Sequence, residues 1–203
     1  ATTLHGGQVR YYRCNKDNWL PDIDHLASQI TCKTKALVVI NPNNPTGSVY
    51  PRETLEAMAA LAAQHNLVLF ADEIYSEILY DDTPFHYCAS LDHDALIISF
   101  HGLSKNYLLA GYRCAWLTAC GATDRASGYL DGIAKLMSMR LCANVPAQHA
   151  IATALQNPQY GFLQRYPEMV PKRAQVRNRL TPSLKSSRVR CTRCVTVAQK
   201  QWC

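Results

Sequence analysis

The sequence predicts an α/β fold, with residues 33–119 forming a mainly parallel sheet flanked by helices. Three observations predict it. Residues 36–40, 67–71 and 95–100 are continuous apolar runs rich in branched side chains, as strands buried on both faces require. Between the first two lies a segment whose Leu55, Met58, Ala59 and Ala62 fall on one helical face. Strand, helix and strand joined by short connectors make a βαβ unit, whose crossover is right-handed.

Taken in order, residues 8–12 alternate weakly as a short strand, and Ile23, Leu26 and Ile30 stand at helical spacing behind Pro21. The strand at 36–40 runs into Asn41-Pro-Asn-Asn44-Pro-Thr-Gly47, where two prolines and a glycine forbid regular structure. Pro51 is placed just inside the next helix, which carries the chain to His65-Asn66. The strand at 67–71 closes with Asp72-Glu-Ile-Tyr75. A polar stretch around Asp81-Asp-Thr-Pro84 leads to the strand at 95–100, and a second strand is expected at 112–118. Two helices follow: one at 123–140, weakened by Asp131-Gly132, and one capped by Asn144, with Pro146 in its first turn, running to Leu155.

The chain has 203 residues, 48% hydrophobic and 18% charged, the composition of a globular domain with a sizeable core. No apolar run approaches the roughly 18–20 residues that would cross a bilayer, and the opening residues have no signal-peptide pattern, so neither a membrane partner nor secretion is expected. Nine cysteines are scattered through what reads as a cytoplasmic enzyme, with free thiols. The net charge of +6 suggests nucleic acid only until it is divided along the chain. Residues 171–203 hold nine Lys or Arg and no acid, leaving 12 of the 21 basic residues against all 15 acidic ones in 1–170, a balance of −3. No nucleic-acid partner is expected of that body. In the tail, which shows no sustained helical or strand pattern, Cys191 and Cys194 have half the spacing of a zinc site but no further ligands, so no metal is expected.

Chemistry concentrates in the turn Gly102-Leu-Ser-Lys105, between the strands at 95–100 and 112–118. A lysine partly desolvated at such a strand end can lose its proton and attack a carbonyl carbon, and Arg113, eight residues on, can hold an anion such as a phosphate. The ends of parallel strands face one way, so Asn44, Asp72 and Tyr75 should meet Lys105 in one crevice. Taken singly, each has a plain alternative. Asp72 could cap a helix, Tyr75 could be a core aromatic, and Asn44 could simply hold its turn.

Four segments together resemble the fold-type-I pyridoxal-phosphate aminotransferases of class I and II, closest to the bacterial alanine aminotransferase branch. They are Ile40-Asn-Pro-Asn-Asn-Pro-Thr-Gly47, Phe70-Ala-Asp-Glu-Ile-Tyr75, Gly102-Leu-Ser-Lys105 through Gly111-Tyr-Arg113, and Ser138-Met-Arg-Leu-Cys-Ala-Asn-Val-Pro-Ala-Gln148. The resemblance implies pyridoxal 5'-phosphate as cofactor and Lys105 as Schiff-base lysine and catalytic proton carrier. It implies Asp72 at the ring nitrogen, Tyr75 and Asn44 at the ring hydroxyl, Asn44 also at the substrate, and Arg113 with Ser104 at the phosphate. It further implies small amino acid and 2-oxo acid substrates, a homodimer and a cytoplasmic setting.

By the same resemblance, residues 1–160 are part of the cofactor-binding large domain, 161–179 begin a C-terminal small domain, and 180–203 are a divergent basic tail. The family's glycine-rich phosphate loop, ring-stacking aromatic and substrate-carboxylate arginine match nothing here. The expectation is therefore a central portion of an aminotransferase, inactive alone. The alternative is a non-catalytic truncated product or a cofactor-binding regulatory domain of the same fold.

Overall fold

A computed structural model describes residues 2–80, 83–91, 94–139, 144–157 and 194–200. The element order is β1 (Gly7–Tyr12), α1 (Ile23–Gln29), β2 (Thr34–Ile40), α2 (Arg52–Gln64), β3 (Val68–Asp72), β4 (Leu96–Gly102), α3 (Leu103–Asn106), β5 (Ala115–Gly121), α4 (Ser127–Ser138), α5 (Val145–Gln156) and β6 (Cys194–Lys200). Short 3-10 turns are interspersed.

The six strands form one sheet in the order β1-β6-β2-β3-β4-β5. Its centre is parallel: Ile40 pairs with Asp72, and Asp72 with Phe100, so the C-terminal ends of β2, β3 and β4 lie side by side. The flanks are antiparallel, making the sheet mixed. The β4–β5 connection, residues 103–114, holds one four-residue helix, too little to carry the chain back across the sheet, so β5 returns beside β4 with Gly102 opposite Ala115.

One core lies on the sheet face that α2 covers. Leu37, Val39, Leu69, Ala71 and Ile97 pack with Tyr50, Leu55, Met58, Ala59 and Ala62 from α2 and its approach, all at most 1% exposed. A smaller cluster, Leu103, Tyr107, Cys114, Ala147 and Ala154, fastens the lysine turn to α5. The expected caps form: the Asp22 carboxylate accepts the His25 N–H at 2.9 Å, and the Asn144 side-chain oxygen accepts the Ala147 N–H.

Four element readings change. Pro51 is the N-cap of α2 instead of its first helical residue, because its extended ψ of 160° keeps it outside. The strand expected at 112–118 begins at Ala115, since Tyr112 closes a 3-10 turn and Arg113 adopts φ 51° to reverse the chain. The helix expected at 123–140 divides into a 3-10 turn, Asp124–Ala126, and α4, which Gly132 does not interrupt. Within the tail read as patternless, Cys194–Lys200 forms β6 between β1 and β2; three consecutive β-branched residues, Val195, Thr196 and Val197, favour an extended backbone there. The segment assigned to a small domain, 161–179, lies outside the described residues, as do 140–143 of the fourth family-like segment.

Candidate active site

The turn after β2 is built on buried amides. The Asn43 side-chain oxygen accepts the Thr46 hydroxyl at 2.8 Å, and its amide donates to the Tyr50 hydroxyl at 3.3 Å. The Asn41 side-chain oxygen accepts the Tyr50 N–H at 2.8 Å, and the Asn41 N–H donates to the Asp72 carbonyl at 3.0 Å, tying the turn to the end of β3. Gly47 supplies the left-handed residue that closes it, with φ 73°. The neighbour that points outward is Asn44, exposed, its amide 3.5 Å from the Tyr75 hydroxyl.

Lys105 arrives from the next strand. Gly102 permits its turn because a Cβ there would lie 3.0 Å from the Cys114 carbonyl oxygen and 3.2 Å from the Ile74 side chain. Lys105 Nζ stands 5.8 Å from the centre of the Tyr75 ring, a cation–π distance, and makes no ion pair among the described residues. Asn44 and Lys105 thus converge on Tyr75. The half-buried Asp72 sits at the end of the intervening strand, its Oδ1 accepting the Ile74 N–H at 3.3 Å. Lys105 itself is exposed rather than partly desolvated, because the described residues leave the outer side of α3 uncovered.

The other two expected members are less engaged. Ser104 is half-buried beside Lys105. Arg113 lies at the same sheet edge but is exposed and turns back to donate to the Ala110 carbonyl at 2.9 Å. Among the described residues, no hydrogen bond or ion pair joins it to Asn44, Asp72, Tyr75 or Lys105.

Sequence reasoning missed two features. Buried Asn106 locks the lysine turn to the tyrosine turn: its amide donates to the Ser76 hydroxyl at 3.1 Å, and its side-chain oxygen accepts the Glu77 N–H at 3.2 Å. Its position next to Lys105 was the available signal. The second is Glu73, fully buried behind Asp72, for which the sequence offered no signal beyond adjacency to that residue.

Burial pushes the Glu73 carboxyl above its ordinary 4.5, against the opposing effects of the Cys88 N–H and the Ser99 hydroxyl. A carboxyl raised in this way favours the fold most below its unfolded value and withdraws that contribution as pH rises through the folded value. Glu73→Gln, which cannot ionise, should therefore flatten the dependence of Tm on pH: from pH 4.5 upward, the wild-type Tm falls relative to the variant in thermal melts.

The aminotransferase class I and II family model matches residues 1–195. Glutamate-pyruvate aminotransferase AlaA of Haemophilus influenzae is 51% identical over 156 residues, covering 76% of this chain and 39% of that protein. An alanine aminotransferase of Mycobacterium bovis is 54% identical over 156 residues, 76% of this chain and 36% of that one. An aminotransferase crystal structure from Escherichia coli superposes with TM-score 0.68 at 53% identity, covering 71% of this chain and 36% of that one. Aspartate aminotransferase of Thermus thermophilus gives 0.66 at 31% identity, over 83% and 42%. The chain spans less than half the length of each.

Proposed function

Because this chain belongs to the class I and II aminotransferases, a pyridoxal phosphate-dependent family, we propose that it serves amino transfer between alanine, or a similar small amino acid, and a 2-oxo acid, with Lys105 holding the cofactor. The observation that carries this reading is the convergence of Lys105, Tyr75 and Asn44 beside the Asp72 strand end. The donor set fits the cofactor: an amine without a carboxylate partner among the described residues for its aldehyde, a carboxylate for its ring nitrogen, and a phenol with an amide for its ring hydroxyl.

When bound, the cofactor supplies an electron sink for the pair released as the substrate α-proton leaves. The chain's own residues do the rest. The Lys105 amine would hold the aldehyde, and the same Nζ would take and return the proton at the substrate Cα. Asp72 keeps a proton on the ring nitrogen by opposing its positive charge. Tyr75, oriented by Asn44, hydrogen-bonds the ring oxygen, and Asn44 also borders the substrate. Arg113 would bind phosphate by giving up its Ala110 carbonyl for a charge-assisted pair, with Ser104 adding a hydroxyl.

The test is to incubate the chain with pyridoxal phosphate, reduce with borohydride and locate the label by mass spectrometry. Modification confined to Lys105 supports the reading, and label spread over exposed lysines sinks it. Amino transfer from alanine to a 2-oxo acid is the companion assay. The 203-residue chain alone is expected to show little or none, since no residue in it matches the family's substrate arginine and it spans 36–39% of the relatives. The non-catalytic reading rests on that same observation. The homodimeric, cytoplasmic state belongs to this proposal too. Its support is the family resemblance and, for the dimer, the exposed Leu136 and Met137 on α4, with light scattering as the measurement.

A further inference from the structure

Nothing in the proposed chemistry uses Glu73, yet its side chain is fully buried next to the site. It is 0% exposed, and its Oε1 accepts the Cys88 N–H at 2.7 Å. Its Oε2 lies 3.3 Å from Nε2 of His101, an ion-pair distance, and has no hydrogen-bond partner among the described residues. Its backbone N–H donates to the Phe100 carbonyl at 3.1 Å. His101, its side chain 14% exposed, is fixed in turn. It stacks on Trp116, its cross-strand partner, at 5.9 Å and 25°, with the Tyr87 ring 5.8 Å away on another side. A carboxyl buried this deeply is costly unless partnered.

Asp72, the preceding residue, is by contrast half-buried, and among the described residues its side chain makes one hydrogen bond, the 3.3 Å contact from the Ile74 N–H. The direction of its carboxylate therefore depends on how firmly the backbone at residue 73 is held.

We propose that Glu73 and His101 form a positioning pair that fixes the end of β3 and thereby aims the Asp72 carboxylate at the site. The inference rests on the proposed function for its meaning, since Asp72 is the group assigned to the cofactor ring. The titratable and polar groups facing the pair are Asp72 from β3, Tyr87 and Cys88 from the turn below, Ser99 within β4 and Cys120 from β5. Burial raises the Glu73 carboxyl and lowers the His101 imidazole, the latter against the opposing charge of Asp72.

The test needs no cofactor. Amide hydrogen exchange of Ile74, whose N–H is bonded to the Asp72 carboxylate, reads the direction of that group; the Leu69 amide, near the start of β3, is the reference. Glu73→Ala and His101→Leu should each speed Ile74 exchange by about tenfold, the size of a lost hydrogen bond to a charged group. Glu73→Gln and His101→Asn, which keep polar atoms in place, should stay within about threefold, with Leu69 unmoved in every case. Unchanged Ile74 exchange would overturn the proposal. So would acceleration that is equal in conservative and disruptive variants, or shared with Leu69, which reports general loosening. Should Glu73→Ala fail to fold, the two His101 variants carry the comparison. If wild-type chain does not trap pyridoxal phosphate at Lys105, the proposed function fails and the Ile74 readout still decides whether the pair aims Asp72.

Discussion

Replacing Lys105 with alanine should abolish covalent attachment of pyridoxal phosphate to the chain. A methyl group has no nucleophile to offer the aldehyde, and among the described residues no other lysine stands over the Tyr75 ring. In any longer protein that contains this segment, amino transfer should fall by at least the roughly 10²–10⁴-fold that a positioned acid–base group contributes, because the same amine moves the α-proton. Borohydride trapping followed by peptide mass spectrometry measures the first effect, and alanine-dependent turnover the second. Lys135→Ala is the control. That lysine is exposed, pairs with Asp131 on α4 at 2.6 Å and lies outside the site, so its loss should leave trapping intact. Retained labelling in Lys105→Ala would mean that the cofactor reacts elsewhere.

Leu69→Ala should lower unfolding stability by about 2–5 kcal/mol, the range for deleting a buried leucine and leaving a cavity. Leu69 is fully buried in the central strand, opposite Leu37 on one side and Ile97 on the other, with α2 against the same face. Interiors pack too densely for neighbours on three elements to collapse into the space. Against a total of roughly 5–15 kcal/mol for an ordinary domain, that is a large fraction. Equilibrium denaturation in urea measures it; a loss under about 0.5 kcal/mol, the size of surface substitutions, would show that this core is not where the fold is held.

The strands at the heart of the sheet were legible because each is a continuous apolar run, such as Leu37-Val-Val-Ile40, although only the α2 face is fully buried and Val38, Val68 and Phe70 on the other are half-buried. The caps at Asp22 and Asn144 were legible because their partners lie three residues away. The antiparallel return of β5 was not. Residues 112–118 read as a strand in either direction, and what selects the direction is the shortness of the lysine turn together with the close approach of Gly102 to Cys114. β6 was missed because its few β-branched residues sit in a basic stretch, and strand pairing with β1 and β2 is a non-local fact.

For the site, the chain by itself determined which groups could do chemistry: Lys105, Asp72, Tyr75 and Asn44 follow strand ends, and parallel strands must present those ends together. Tertiary structure alone decided how each is held. It put Asn44 and Lys105 against opposite parts of Tyr75, turned Arg113 back onto Ala110, and set Glu73 and His101 behind Asp72. The reason is physical. Residue identity fixes donors, acceptors and charge, whereas the partners that Asn44, Lys105 and Glu73 meet stand 28 or more positions away, brought close only by strand register and turn geometry.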